Sequence, residues 1–97
     1  MKLVFSESAR HDLLEIARFI AADDPEAAGR WVGRLRRRAK ILRRMPLAGR
    51  RVPELDQEGI RELVEGNYRI IYRVVGTVVE VLRVFESHQL LSARQLP

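Results

Sequence analysis

Apolar residues recur every three or four positions in the first half of this chain and alternate in the second. Ala9, Leu13, Ile16, Ala17 and Ile20 make one stripe. Ala28, Trp31, Val32, Leu35, Ala39 and Leu42 make another, flanked by Ile41 and Met45. Each stripe predicts a helix that buries one face. Ser6 is a good N-cap and Glu7 suits a first turn, so the first helix starts there and ends near Ala22. Arg10, Asp12, Glu15 and Arg18 fall off its stripe and are assigned to solvent. Asp24-Pro25-Glu26 restarts the chain as a second helix that runs to about Arg44, stopped by Pro46. The short link makes the two an antiparallel hairpin. A β-prone run, Lys2–Phe5, precedes them.

Three β-rich runs follow, 60–65, 68–75 and 78–85, separated by Gly66-Asn67 and Gly76-Thr77. A two-residue loop with glycine first fits a type II′ hairpin turn. With Gly76-Thr77 as the loop, Val75 faces Val78, Arg73 faces Glu80, Ile71 faces Leu82 and Arg69 faces Val84. The opposite face pairs Val74 with Val79, Tyr72 with Val81 and Tyr68 with Phe85. The Arg73–Glu80 pair supports this register, each such pair contributing roughly 0.2–1 kcal/mol. The segment Met45–Gly59, broken by Pro46, Gly49, Pro53 and Gly59, is predicted as loop with a short strand near 50–52. The tail 89–96 fits a short helix and a frayed end equally well. The order β-α-α-β-β-β predicts a single α+β domain over residues 1–97. Its N-terminal strand leads into an antiparallel helical hairpin packed on one face of a mostly antiparallel sheet.

Composition narrows the function classes. The 97 residues suffice for one modest core, and 46% hydrophobic with 32% charged residues is the balance of a folded globule. The absence of cysteine rules out disulfides and thiolate metal sites. His11 and His88 are too far apart for a ligand spacing, so no metal or cofactor is expected. No signal-peptide run and no long apolar stretch is present, which predicts a soluble, cytoplasmic protein without membrane contact.

Charge changes the picture more. Arg30, Arg34, Arg36, Arg37, Arg38, Lys40, Arg43, Arg44, Arg50 and Arg51 are ten of the 18 basic residues, and no acid interrupts them. Such segregation fits a strongly acidic partner or a polyanion. Within the second helix only Glu26–Arg30 has i,i+4 spacing, so the self-repulsion is left for a partner to relieve. Arg34, Arg37 and Arg38 are therefore candidate partner contacts, with Trp31, although its place in the apolar stripe favours core packing over base stacking. Arg69, Arg73 and Arg83 on the sheet complete the candidate set. Arg73 has Glu80 opposite. Arg69 has an apolar neighbour and reads as a structural anchor or a partner contact. Arg83, on the other face with Ile70 opposite, has no evident acidic partner. His88 follows the last strand in Glu86-Ser87-His88-Gln89 with no convincing second catalytic group, and His11 sits on the solvated side of the first helix.

Several residues together resemble a known family: Ser8-Ala9, Asp12-Leu13 and Ile16; Asp24-Pro25 with Ala27-Ala28; Leu42, Pro46 and Gly49-Arg50; and Gly66-Asn67-Tyr68-Arg69-Ile70-Ile71-Tyr72. In order and spacing they are similar to the ParE toxins of the RelE/ParE superfamily, the toxin half of type II toxin–antitoxin modules, which include plasmid-stabilisation systems. The resemblance implies one of two mechanisms. RelE-like members cut mRNA on the ribosome with a cluster of Lys, Arg and often a C-terminal Tyr or His. ParE-like members bind and poison DNA gyrase. Here Ile60 and Glu62 stand where the ribonucleases place two lysines, and Glu86-Ser87-His88-Gln89 replaces their basic run with no Tyr following. Many relatives follow the His with Arg, whereas His88 precedes Gln89-Leu90-Leu91.

The resemblance therefore implies a non-enzymatic gyrase inhibitor with no catalytic residues. The alternative is a ribosome-dependent mRNA endonuclease using Arg69, His88 and Arg61. A DNA-binding module using Arg37 and Arg38 ranks last, since operator binding is normally the antitoxin's task, and direct nucleic-acid binding is not expected. The implied partner is a ParD-like antitoxin whose acidic C-terminal region wraps the toxin.

Overall fold

Ser6 and Asp24 start the two helices, as their positions predict. Ser6 Oγ accepts the Ala9 N–H at 3.0 Å and opens α1, Glu7–Ala21. The Asp24 carboxylate accepts the N–H groups of Glu26 and Ala27 at 3.1 and 3.2 Å and opens α2, Pro25–Lys40. The second helix is shorter than the stripe suggests, because its last turn tightens into a 3-10 turn, Ile41–Arg43. The computed structural model describes residues 1–55, 57 and 59–97; Asp56 and Glu58, inside the predicted 45–59 loop, lie outside the described residues.

Five strands form one sheet: β1 (Lys2–Phe5), β2 (Arg50–Arg51), β3 (Ile60–Glu65), β4 (Tyr68–Val75) and β5 (Val78–Glu86). Their order is β1-β5-β4-β3-β2, with β1 parallel to β5 and every other pair antiparallel. Both hairpins turn on two residues, with Gly66 and Gly76 at φ +58° and +59°. No other residue of either loop has positive φ, which is the type II′ pattern.

The register of β4 and β5 holds from Val75–Val78 to Tyr72–Val81 and then slips. Ile71 faces Arg83, Ile70 faces Val84, Arg69 faces Phe85 and Tyr68 faces Glu86, one residue beyond the simple hairpin count. A β-bulge at Leu82 causes the shift. It has a packing reason: Val79, Val81 and Val84 all bury under the helices, whereas Leu82 and Phe85 bury on the opposite face. Strict alternation cannot place Val81 and Val84 on one side.

The main core lies between helices and sheet, where Ala9, Leu13, Leu35, Ala39 and Leu42 meet Leu63, Ile70, Tyr72, Val79 and Val81. A second cluster on the back of the sheet joins Val52, Ile60, Ile71, Leu82, Phe85 and Leu91. The tail is thus held to the sheet rather than frayed, and the short-helix alternative holds for its last turn only. Residues 89–92 cross the back face without regular structure, Leu91 buries there, and a short 3-10 turn, Ala93–Gln95, follows.

Candidate functional site

Two sets of arginines divide the molecule. On the back of the sheet, strand alternation aims Glu62 and Arg69 at each other across β3 and β4. Glu62 accepts from Arg69 Nε at 2.7 Å and from Arg50 Nη2 at 3.2 Å, with its own side chain fully buried. The two terminal nitrogens of Arg69 grip Glu54 at 2.6 and 2.7 Å, and Nη1 also donates to the Gln89 carbonyl at 2.9 Å. Glu54 in turn accepts the Leu91 N–H at 3.0 Å. The Arg69 hydrogen bonds hold the Glu54 carboxyl down at about 2 against the opposing effect of burial. Arg69 is pushed up by the same carboxylate. Every part of its guanidinium is thus engaged, fixing a loop and the tail to the sheet.

Arg83 is engaged similarly. Its Nε and Nη2 bind the two oxygens of Asp12 at 2.7 and 2.8 Å, Nη1 donates to the Gln95 carbonyl at 2.8 Å, and Asp12 also accepts the Val84 N–H at 2.9 Å. Asp12 is therefore buried, not solvated, and Arg83 has an acidic partner 71 residues away in sequence. Its strand neighbour is Ile71 rather than Ile70, because of the bulge. Arg73 meets Glu80 at 3.0 Å, at the expected position.

The second set lies on α2. Arg34 and Arg38 both pair with Glu65 at the end of β3. The Arg34 guanidinium stacks 4.6 Å from the Trp31 ring, which meets the Tyr68 ring edge-on at 5.4 Å. A Cβ on Gly66 would stand 2.5 Å from the Trp31 ring, so that glycine admits the indole. Arg30, Trp31, Arg34 and Arg37 line an open hollow of about 330 Å³. Trp31 is thus a half-buried wall between the core and this hollow. Arg30 pairs with Asp24, while Arg37 is exposed and has no carboxylate partner among the described residues.

The structure brings Trp31, Arg34, Arg37 and Arg38 together on one surface. It does not assemble Arg69, Arg61 and His88. Arg61 neighbours Glu62 on β3, so it points to the helix side, where Nη1 donates to the Gly49 carbonyl at 2.8 Å. The sheet separates it from Arg69. The imidazole of His88 is 81% exposed and lies 3.0 Å from Glu86. Sequence reasoning missed Glu54 and Asp12 as ion partners, and it noticed Glu62 without pairing it. The Gly66-Asn67 hairpin held the signal for Glu62: it sets Val64 opposite Arg69 and puts Glu62 diagonally beside it on the same face. Nothing local announces Glu54 or Asp12.

Two helices on one face of a mixed five-stranded open sheet, with arginines locked inside and a basic helix outside, define a small α+β domain of the RelE/ParE architecture. The solved chromosomal ParDE toxin–antitoxin system from P. aeruginosa matches with a TM-score of 0.74 and 25% identity, over 89% of this chain and 95% of that one. The crystal structure of the toxin–antitoxin complex RelBE2 from Mycobacterium tuberculosis matches at 0.59 and 28%, over 88% and 95%. No curated protein matches. The family model described as the ParE toxin of the type II toxin–antitoxin system parDE matches residues 3–91. The chain belongs to the ParE toxin family. No helix among the described residues is long and apolar enough to cross a membrane.

Proposed function

We propose that this toxin acts by binding rather than by cutting, that its target is DNA gyrase in the cytoplasm, and that a ParD-like antitoxin with an acidic C-terminal region neutralises it. The observation that carries the non-enzymatic part is the state of Arg69. A ribonuclease needs this arginine free to meet a phosphate, yet here two carboxylates and a carbonyl occupy it. Glu62 lies beside it, and a buried carboxylate repels the phosphate it would have to bind. General acid–base cleavage also needs a proton donor and acceptor within reach of one bond, and Arg61 and His88 are not gathered there. The gyrase target rests on membership of the ParE family. The antitoxin reading is supported by the exposed arginines of α2 and by the two solved relatives, both described as toxin–antitoxin systems.

The test pairs two assays. Purified toxin should block gyrase supercoiling and leave translated mRNA intact in a toeprint. Cleavage in the ribosomal A site that disappears in Arg69→Ala or His88→Ala would reverse the choice in favour of the endonuclease, a reading that the likeness to RelBE2 keeps in view.

A further inference from the structure

The basic residues of α2 and of the 3-10 turn that follows it do not all face the same neighbours. On the Trp31 side, Asp24 and Glu65 answer Arg30, Arg34 and Arg38. On the β1 side no acid among the described residues answers. Lys40, Arg43 and Arg44 are exposed, and no carboxylate pairs with any of them among the described residues. Met1 lies against them, its N donating to the Arg43 carbonyl at 2.9 Å. Met1, Lys40, Arg43 and Arg44 line an open hollow of about 420 Å³. Lys40 and Arg43 also line its neighbour of about 340 Å³ together with Lys2, Leu3 and Phe5. The two form one cationic cleft along β1.

That cleft opens on an unpaired sheet edge. β1 is the terminal strand of the sheet, and among the described strands it pairs with β5 alone. The N–H groups of Lys2 and Ser6 point inward to Thr77 and Val81 at 3.1 and 2.9 Å. Alternation therefore turns the peptide groups of Leu3 and Phe5 outward. Arg10 caps the Phe5 carbonyl at 2.9 Å, which leaves the Leu3 N–H and C=O and the Phe5 N–H facing the cleft. A row of free backbone groups with apolar side chains beneath and cations along the rim matches one recognition mode, the addition of an extended acidic strand.

We propose that an acidic, β-prone peptide segment binds this cleft as a sixth strand along β1, with its carboxylates on Lys40, Arg43 and Arg44. A second copy of the chain is the wrong occupant, since it would bring a second set of the same cations into contact. The proposal deepens the antitoxin reading by naming where, and in what conformation, part of such a partner lies.

The probe is a labelled decapeptide alternating glutamate with valine, titrated onto the full chain. Binding should protect the Leu3 and Phe5 amides from hydrogen exchange. N-methylation of the alternate peptide amides facing β1 should abolish it, and the K40E/R43E variant should bind about tenfold more weakly at low salt. Both substituted side chains are exposed, and an unchanged circular-dichroism melt shows the variant folded. Equal binding by the N-methylated peptide, no protection at Leu3 and Phe5, or an unaffected K40E/R43E variant overturns the proposal. So does oligothymidylate that outcompetes the peptide, which would make the cleft a nucleic-acid site, or a dimer that closes the β1 edge. An antitoxin that complexes the toxin while Leu3 and Phe5 stay unprotected defeats the added strand and leaves the antitoxin reading standing. The absence of any complex with a ParD-like antitoxin defeats that reading itself.

Discussion

Arg69 and Arg37 carry the same charge and sit in opposite physical situations. The first is buried on the back of the sheet with three acceptors; the second stands in solvent on α2 with no carboxylate partner among the described residues. In low dielectric the ionic contacts of Arg69 are large terms on both sides of the balance, desolvation against attraction, so removing either partner is costly. For Arg37 both terms are small, and its charge remains available to another molecule. Arginine content alone is therefore a poor guide to function in this fold, since some arginines hold the structure and others are displayed by it.

The sharpest break of this comparison is Arg69→Ala. It leaves Glu62 buried with Arg50 as its remaining ion partner among the described residues, and it frees Glu54, the loop and the tail together. We expect a loss of about 3–5 kcal/mol in urea unfolding. A loss below about 1 kcal/mol would mean that water replaces the guanidinium easily and that the network is not a structural anchor.

Gly49→Ala comes next. Gly49 N–H donates to the Tyr72 hydroxyl at 2.8 Å, and a Cβ there would stand 2.5 Å from the Glu62 carbonyl oxygen and 2.7 Å from the Tyr72 ring. Backbone and a buried ring cannot yield cheaply, so one added methyl should cost about 1–3 kcal/mol. A thermal melt with an unchanged midpoint would show that the β2–β3 edge is looser than this contact implies.

Acid sharpens the same side of the comparison. The Glu54 carboxyl is depressed from 4.5 to about 2 in the folded chain. Its contribution is complete above the unfolded value and fades as pH falls from 4.5 towards 2. Glu54→Gln should therefore lower stability by on the order of 2 kcal/mol at neutral pH, after allowance for residual solvent contact. The gap to the parent should narrow below about pH 4. A gap that stayed constant down to pH 2.5 would place the coupling elsewhere.

Much of this architecture is legible from the chain, and the failures share one cause. The helix caps, the two glycine turns and the Arg73–Glu80 pair depend on residues within a few positions of each other, or on hairpin counting. The Leu82 bulge depends on which face the core claims, and no local residue marks it. Asp12 lies one step off the apolar stripe of α1 and looks like a solvent residue until the helix packs on β5 and delivers Arg83 to it. Glu54 stands in a loop whose course follows from the back-face cluster of Val52, Leu91 and Phe85. Fold is written largely in local periodicity, whereas the ion pairs that disarm Arg69 and Arg83 as surface groups are written in long-range packing. That is why Arg83 looked unpartnered in the sequence and Arg69 read as either an anchor or a partner contact, while both are occupied within the chain.

The exposed side of the comparison is tested by the smallest structural change and the clearest functional one. Arg37→Glu should alter stability by no more than about 0.5 kcal/mol, because no ion pair of its charge among the described residues is lost. The same substitution should weaken a ParD-like antitoxin several-fold at low ionic strength, with the parent and variant affinities converging as salt screens the pair beyond about 10 Å. Apolar anchors beside Trp31 would supply the affinity that persists in high salt. Affinity that is flat from low to high salt in both proteins would show that the basic helix is a solvated face and nothing more, and the contrast between Arg37 and Arg69 would then be one of stability alone.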